Sequence, residues 1–540
     1  MLEHLSKSTL QQLIDSDAIE QIEAVLGSLR NVPFDHVEFH KRKNLANIVR
    51  VFRGDGLLKD QKALQLILSE LGPSDIRGIC NTLKITEIPP SIEQFAQKIS
   101  RRHSKNPELK KSFGLSYLAA EPPDKPPTHL QIVGPAPYPF RQLKPYQMSI
   151  LLRTLQELSP SLSRCVLQMP TGTGKTRTAM ELISFVLNDS SPDDVVVWLA
   201  HSAELCQQAL QCFAEVWSHV GMHPVEIHQI LGDSSGLPFD RPNRHFSVMG
   251  FQKAYSLLKR DSHPFAMYRD RVRLIVVDEA HRVIAPTYRA ATEGLAGDRA
   301  RILGLTATPG RSTSNEEENK ALAEFFFNKL LELESPNRQP LFSYLRHEGL
   351  LASAVRTPLE TGRSYELSRE QLASLEEEGD LPVGFLKMVG ADDARNALII
   401  DRVYEKSKKS SRIILFSCSV DQSKFIASCL NFIGVPTAHV DGKSSAENRA
   451  AVIEDFRQGR IHVLCNYGVL TTGFDVPKID TVVITRPTAS LILYSQMIGR
   501  GLRGPKLGGT ETCDIVDVID NILGMPREQR AFRYFEQYWG

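Results

Sequence analysis

Met169-Pro170-Thr171-Gly172-Thr173-Gly174-Lys175-Thr176 follows the apolar stretch Cys165-Val166-Leu167 and opens a helical one. Strand, glycine loop and helix in that order make a cradle for nucleotide phosphates. Backbone N–H groups around Gly172 and Gly174 can point at phosphate oxygens, and the helix N-terminus adds its positive dipole. Lys175 is placed to reach the terminal phosphates and Thr176 to offer its hydroxyl to Mg²⁺, with Thr171 and Thr173 completing the loop. Met169 stands where glycine or alanine is usual in such loops.

Downstream, Arg273-Leu274-Ile275-Val276-Val277 has the apolar run of a buried strand and ends in Asp278-Glu279-Ala280-His281. A strand that carries two carboxylates at its C-terminal end sets them opposite the cradle. Asp278 is then the candidate Mg²⁺ carboxylate, and Glu279 the base that orients and deprotonates the attacking water. The next strand, Arg301-Ile302-Leu303-Gly304-Leu305, leads into Thr306-Ala307-Thr308-Pro309. Its hydroxyls, with His281, are candidates for coupling the carboxylates to the rest of the chain.

The second half, Ile413 to Ile484, repeats short β-branched runs separated by helical or turn segments, as in a parallel α/β sheet, but has no second cradle. It contains Val469-Leu470-Thr471-Thr472-Gly473-Phe474-Asp475-Val476-Pro477 and Gln496-Met497-Ile498-Gly499-Arg500-Gly501-Leu502-Arg503.

These blocks, in this order, resemble the motifs of the superfamily 2 helicases and translocases. The resemblance covers about residues 140 to 520. It implies two tandem RecA-like parallel-sheet domains with ATP and Mg²⁺ held between them, preceded here by an all-α accessory domain. Within it, Arg141-Gln142-Leu143-Lys144-Pro145-Tyr146-Gln147 looks like the adenine-reading segment, Gln147 bonding the base edge and Arg141 assisting. His201 and Ser202 fall in the first strand-gripping motif, and Gln252 and Lys253 in the second. Thr471 and Thr472 would grip the strand from the second domain while Gly473 and Asp475 reach the nucleotide across the cleft. The last motif would supply Gln496, Arg500 and Arg503 to the catalytic set, the arginines neutralising charge on the transferring phosphoryl group.

The motif wording favours the DNA-directed branch, which includes RadD-like repair helicases, XPB-like translocases and type I restriction motor subunits. It looks closest to the RadD-like group, without that group's zinc-binding C-terminal segment. Two functions of different class follow. One is an ATP-dependent DNA helicase or translocase of repair. The other is the motor subunit of a restriction or anti-phage assembly with no unwinding of its own. No nuclease carboxylate cluster is evident.

Composition limits the partners. The 64 basic and 63 acidic residues nearly cancel, so nucleic-acid binding must come from a local groove and not from a global field. Among eight cysteines no two form Cys-x-x-Cys, which argues against structural zinc and suits a reducing cytosol. The N-terminus lacks an apolar targeting core, and no apolar run reaches the roughly 18 residues needed to span a bilayer. A cytoplasmic protein with no membrane partner is expected.

Boundaries follow from composition. Residues 1–120 have apolar positions at helical spacing, for example Leu10, Leu13, Ile14, Ile19, Ile22 and Leu26, and predict a small bundle. Its basic clusters, Lys41-Arg42-Lys43 and Arg101-Arg102-His103 with Lys105, Lys110 and Lys111, read first as solvated helix faces and second as a contact for nucleic acid or a protein partner. Seven prolines between Pro122 and Pro139 predict a semi-rigid linker over 121–139 with no regular structure. The motor domains are assigned to 140–312 and 395–523, joined by a connector, 313–394, with a solvated acidic helix at 368–378. A terminal helix, 524–540, carries Phe532, Phe535 and Trp539 as a stripe suited to packing on the second domain.

Overall fold

The computed structural model describes all residues except 15, 33, 88, 116–128, 131–140, 233–236, 238–242, 261, 308–315, 336–338, 411, 471–475, 477 and 524–540. The terminal stripe Phe532, Phe535 and Trp539 therefore lies outside the described residues.

Two largely parallel sheets form the α/β part of the chain. The first contains β1 (His129–Leu130), β2 (Arg164–Gln168), β3 (Val195–Ala200), β4 (Val225–Ile230), β5 (Arg244–Gly250), β6 (Val272–Asp278), β7 (Arg301–Thr306) and β8 (Leu330–Glu332). Their order is β1-β4-β5-β3-β6-β7-β2-β8. Every pairing is parallel except β1 with β4. All six residues of β3 are buried, because helices cover both faces and a strand there has no solvent side.

The second sheet contains β9 (Ser353–Arg356), β10 (Leu359–Glu366), β11 (Ile413–Phe416), β12 (Thr437–Val440), β13 (Val463–Asn466), β14 (Thr481–Ile484) and β15 (Thr512–Leu523). The order is β10-β15-β14-β11-β13-β12, and β9 pairs with the first part of β15. The two sheets are the tandem RecA-like pair.

Two segments differ from the composition-based expectation. The proline-rich spacer is not wholly without regular structure, since His129–Leu130 adds antiparallel to β4 at the sheet edge. The run from 128 to 134 has no proline, so its N–H groups remain available for a ladder. The connector is sewn into both sheets: β8 extends the first beside β2, and β9 and β10 line β15 in the second. Its acidic helix, Arg369–Glu378, has a capping box from Ser368 and Gln371, and it buries Leu375.

The N-terminal module is helical, from Lys7–Leu13 to Pro107–Phe113. Gly72 caps the helix Pro73–Leu83, and the six apolar positions cited from the sequence are all buried. Its core is continuous with that of the second sheet through Ile399, Ile400, Val403, Phe425 and Ile426. The seam is fixed by the rings of Phe34 and Phe39, 5.9 and 5.3 Å from Phe432, and by Lys424 Nζ donating to the Phe52 carbonyl at 2.8 Å. Among the described residues no helix is long and apolar enough to cross a membrane.

Candidate active site

The cradle leaves the C-terminal end of β2 and enters the helix Lys175–Asn188. Gly172 and Gly174 both have φ of +86°, the left-handed region where a side chain is strained. A Cβ on Gly174 would also lie 2.3 Å from Gln147 Nε2, so a side chain here would have to displace that amide. Thr173 is buried and turns the loop by bonding back to the Pro170 carbonyl, 2.7 Å through Oγ1. Met169 is fully buried in the apolar core under the loop, where its size serves packing.

Two residues of the helix Pro145–Glu157 hold the loop from outside. Tyr146 Oη donates to the Thr173 carbonyl at 2.9 Å, and Gln147 Nε2 donates to the same oxygen at 3.1 Å. Gln147 Oε1 accepts the Lys144 N–H at 2.8 Å, so the amide is oriented at both ends. Arg141 is exposed, and its carbonyl accepts from Arg177 at 2.7 Å.

The carboxylates come from the end of β6, with β7 between it and β2. Asp278 is buried, and its Oδ1 accepts the Glu279 N–H at 3.0 Å. Glu279 then takes a left-handed backbone, φ 53° and ψ 58°, costly for a side-chain-bearing residue and concentrated at functional sites. Burial raises the Asp278 carboxyl to about 6, against the opposing pull of Lys175. Burial also pushes Glu279 upward, but Lys175, His281, His201 and Arg282 outweigh it and hold this carboxyl below its ordinary value. One of the pair is thus poorly compensated and the other kept ionised. The hard oxygen donors of Asp278 and Thr176 fit Mg²⁺, which would supply the positive charge that Asp278 lacks.

His281 is buried, with Nδ1 3.5 Å from Glu279 Oε2. Thr306 is fully buried between cradle and carboxylates: it pairs with Gln168 across β7 and β2, its carbonyl accepts the Met169 N–H at 3.0 Å, and its neighbour Leu305 pairs with Asp278. Thr308 lies outside the described residues.

The gripping candidates follow β3 and β5, adjacent strands ending at the same edge. Ser202 accepts the Leu205 N–H and caps the helix Ala203–Val220. Lys253 Nζ donates to the Gly232 carbonyl at 2.9 Å, and Gln252 is exposed. His201 stands close enough to Glu279 to lower its carboxyl, because β3 is the neighbour of β6. Thr471, Thr472, Gly473 and Asp475 fall outside the described residues.

From the second sheet, the helix Leu491–Ile498 brings the last motif onto the cradle. A Cβ at Gly499 would lie 2.5 Å from Thr171 Cγ2, so glycine there permits the approach. A Cβ at Gly172 would lie 3.9 Å from both Arg503 Cα and Leu351 Cδ2. Gln496 is buried, and its carbonyl accepts from Arg500 Nε at 3.2 Å. Leu351 bridges to Arg503, and Ala352 N–H donates to the Leu502 carbonyl at 3.0 Å. Leu351 belongs to the core of the first sheet and Ala352 to that of the second, so the chain crosses between domains at the arginine loop. The motif reading missed Tyr146, Leu351 and the Thr171–Gly499 contact. Only Tyr146 had a local signal, as the aromatic neighbour of Gln147.

Family profiles match the same two regions. The profile described as "Type III restriction enzyme, res subunit" matches residues 141–311, and "Helicase conserved C-terminal domain" matches 394–504. The chain is a superfamily 2 helicase-type ATPase. It is 26% identical over 380 residues to a 51.5 kDa protein of a Lactococcus phage, covering 69% of this chain and 70% of that one. It is 25% identical over 390 residues to the putative mitochondrial ATP-dependent helicase irc3 of Schizosaccharomyces pombe, covering 71% of this chain and 58% of the yeast protein. The solved structure of the type ISP restriction-modification enzyme LlaBIII bound to DNA shares the fold, with a TM-score of 0.51 and 16% identity over 73% of this chain and 29% of that one. The helicase-type ATPase thus spans little more than half the length of the yeast relative.

Proposed function

We propose that this ATPase is a DNA-stimulated translocase or helicase acting in repair, with ATP bound between cradle and arginine loop. The carrying observation is that Thr171 and Gly172 of one sheet meet Gly499 and Arg503 of the other. A loose phosphoryl-transfer transition state spreads negative charge over equatorial oxygens, so arginines on a separate body tie hydrolysis to closure. In this reading Lys175 holds the terminal phosphates, Thr176 and Asp278 hold Mg²⁺, and Glu279 takes the proton of the attacking water. Mg²⁺ bound there would supply positive charge against the negative charge that develops during phosphoryl transfer. Gln147 reads adenine, with Arg141 at the rim. His281, Thr306 and Thr308 couple the site to the gripping residues Ser202, Gln252, Lys253, Thr471 and Thr472, and Gly473 and Asp475 approach the nucleotide from the second domain with Gln496. His201 is shared between the grip and Glu279.

DNA is favoured because the last two motifs are worded like the RadD-like group, and because the type ISP neighbour was solved on DNA. Eight free cysteines, seven of them buried, suit a reducing cytoplasm. The restriction-type family profile favours a second reading, a motor that serves an assembly docked through residues 1–120. Phosphate release measured with single-stranded DNA, duplex DNA and RNA of equal length at one salt concentration tests the substrate. DNA should stimulate most, and stronger stimulation by RNA would overturn the choice of polymer. Strand separation by the purified chain would exclude the second reading.

A further inference from the structure

The N-terminal module contains a cluster with no part in ATP chemistry. Glu23 lies on the helix Ser16–Ser28, His36 opens the short helix His36–Phe39, and His40 closes it. Spacing of i and i+4 puts both imidazoles on one side of that turn, facing Glu23. His40 Nε2 is 3.2 Å from Glu23 Oε1, and His36 Nδ1 contacts the same oxygen. The two rings are 4.8 Å apart at 76°. All three donor atoms lie within 4.8 Å of one another.

We propose that Glu23, His36 and His40 hold a divalent transition-metal ion of the zinc class. One imidazole on a carboxylate is an ordinary ion pair. Here two imidazoles, through different ring nitrogens, converge with the carboxylate on one point. Zinc bonds of about 2.0–2.2 Å in a tetrahedron place donors roughly 3.3 Å apart, within the span this cluster allows. Two nitrogens and one carboxylate oxygen suit zinc, cobalt or nickel better than magnesium or calcium. The His36 side chain is 69% exposed, against 25% for His40 and 22% for Glu23, so solvent can complete the shell on the His36 side.

The surroundings give the site a role. Asp35 accepts the N–H groups of Val37 and Glu38 at 2.9 and 3.1 Å, which fixes the turn that presents both histidines. Phe34 and Phe39, on the same turn, make the aromatic seam with Phe432 of the second domain. A metal ion joining this turn to the helix Ser16–Ser28 would stiffen the segment by which the module grips the motor.

The test uses the full chain, stripped with a chelator and titrated with Co²⁺. The expected result is one equivalent taken up with visible d–d bands, displaced by Zn²⁺, and a Zn²⁺-dependent rise in unfolding temperature. His36→Gln/His40→Gln and Glu23→Gln should each weaken uptake more than about tenfold and lose the thermal shift. His36→Gln alone changes an exposed side chain and so reports on binding without risk to the fold. Equal Co²⁺ uptake by parent and double variant, or none by the parent, would show an ion pair only and overturn the proposal.

Discussion

The two sheets bury charge in opposite ways. At the end of β6 the buried Asp278 keeps a carboxyl raised to about 6 by desolvation, and Glu279 beside it sits on strained backbone. In the second sheet Arg395 and Asp520 are both fully buried, yet two guanidinium nitrogens meet the carboxylate at 2.9–3.1 Å, and the Thr485 carbonyl accepts from Arg395 as well. Tyr494 and Arg356 also bond the neighbouring Asp517, although burial still holds that carboxyl above its ordinary value. Buried charge met by close ion-pair and hydrogen-bond partners holds the fold together, whereas buried charge left with a raised carboxyl beside strained backbone marks a candidate for chemistry.

The largest effect that would break this contrast is on the first sheet. Glu279→Gln should bind ATP and lower kcat by about 10² to 10⁴, because only the proton acceptor is lost. Lys175→Ala should lose nucleotide affinity as well. Single-turnover hydrolysis with a separate nucleotide-binding titration distinguishes the two, and equal loss of binding in both would contradict the roles.

On the second sheet Arg395→Met should act on stability. Removing one partner strands Asp520 in the interior and should cost about 3–5 kcal/mol in denaturant unfolding. Residual ATPase per folded molecule should stay near the parent value under conditions where the variant is folded. A kcat loss as large as that of Glu279→Gln, with unfolding unchanged, would erase the distinction between the sheets.

The cradle, the carboxylate pair and the arginine motif were legible because each is local: an apolar strand, a short turn and a few side chains at fixed spacing. The helical nature of residues 1–115 was legible from periodicity for the same reason. What sequence could not show is set by long-range packing. Lys424 meets Phe52 across 372 positions, and no pattern near either residue announces that the module rides on the second sheet. His201 sits in a segment worded like a phosphate grip, but strand order places it beside Glu279. The β9 and β10 strands were hidden in a connector because they pair with a strand about 160 residues later.

Next in size is the contact between the sheets. Arg500→Ala and Arg503→Ala should leave ATP binding near the parent level and lower kcat by on the order of 10², the mark of an interaction made mainly in the transition state. Lysine at either position should rescue little, since a point charge lacks the planar fork. If both alanine variants hydrolyse ATP at the parent rate in saturating DNA, the arginines only bind the domains together and hydrolysis is not tied to closure.

The smallest effect concerns Tyr146, which sharpens the contrast from inside the first sheet's own scaffold. Its hydroxyl shares the Thr173 carbonyl with Gln147, so Tyr146→Phe removes one of two donors and leaves the acceptor satisfied. The cost should be that of a single neutral hydrogen bond, about 0.5–1.5 kcal/mol. Because the bond shapes the loop before ATP arrives, the loss should appear as a KM for ATP raised by about two- to tenfold with kcat nearly unchanged. Gln147→Ala should raise KM further and, if its amide reads the base as proposed besides holding the loop, also reduce the preference for ATP over GTP. A Tyr146→Phe enzyme with unchanged KM and lowered kcat would mean that the phenol acts on the reacting phosphate, and the division between scaffold and chemistry at this loop would have to be redrawn.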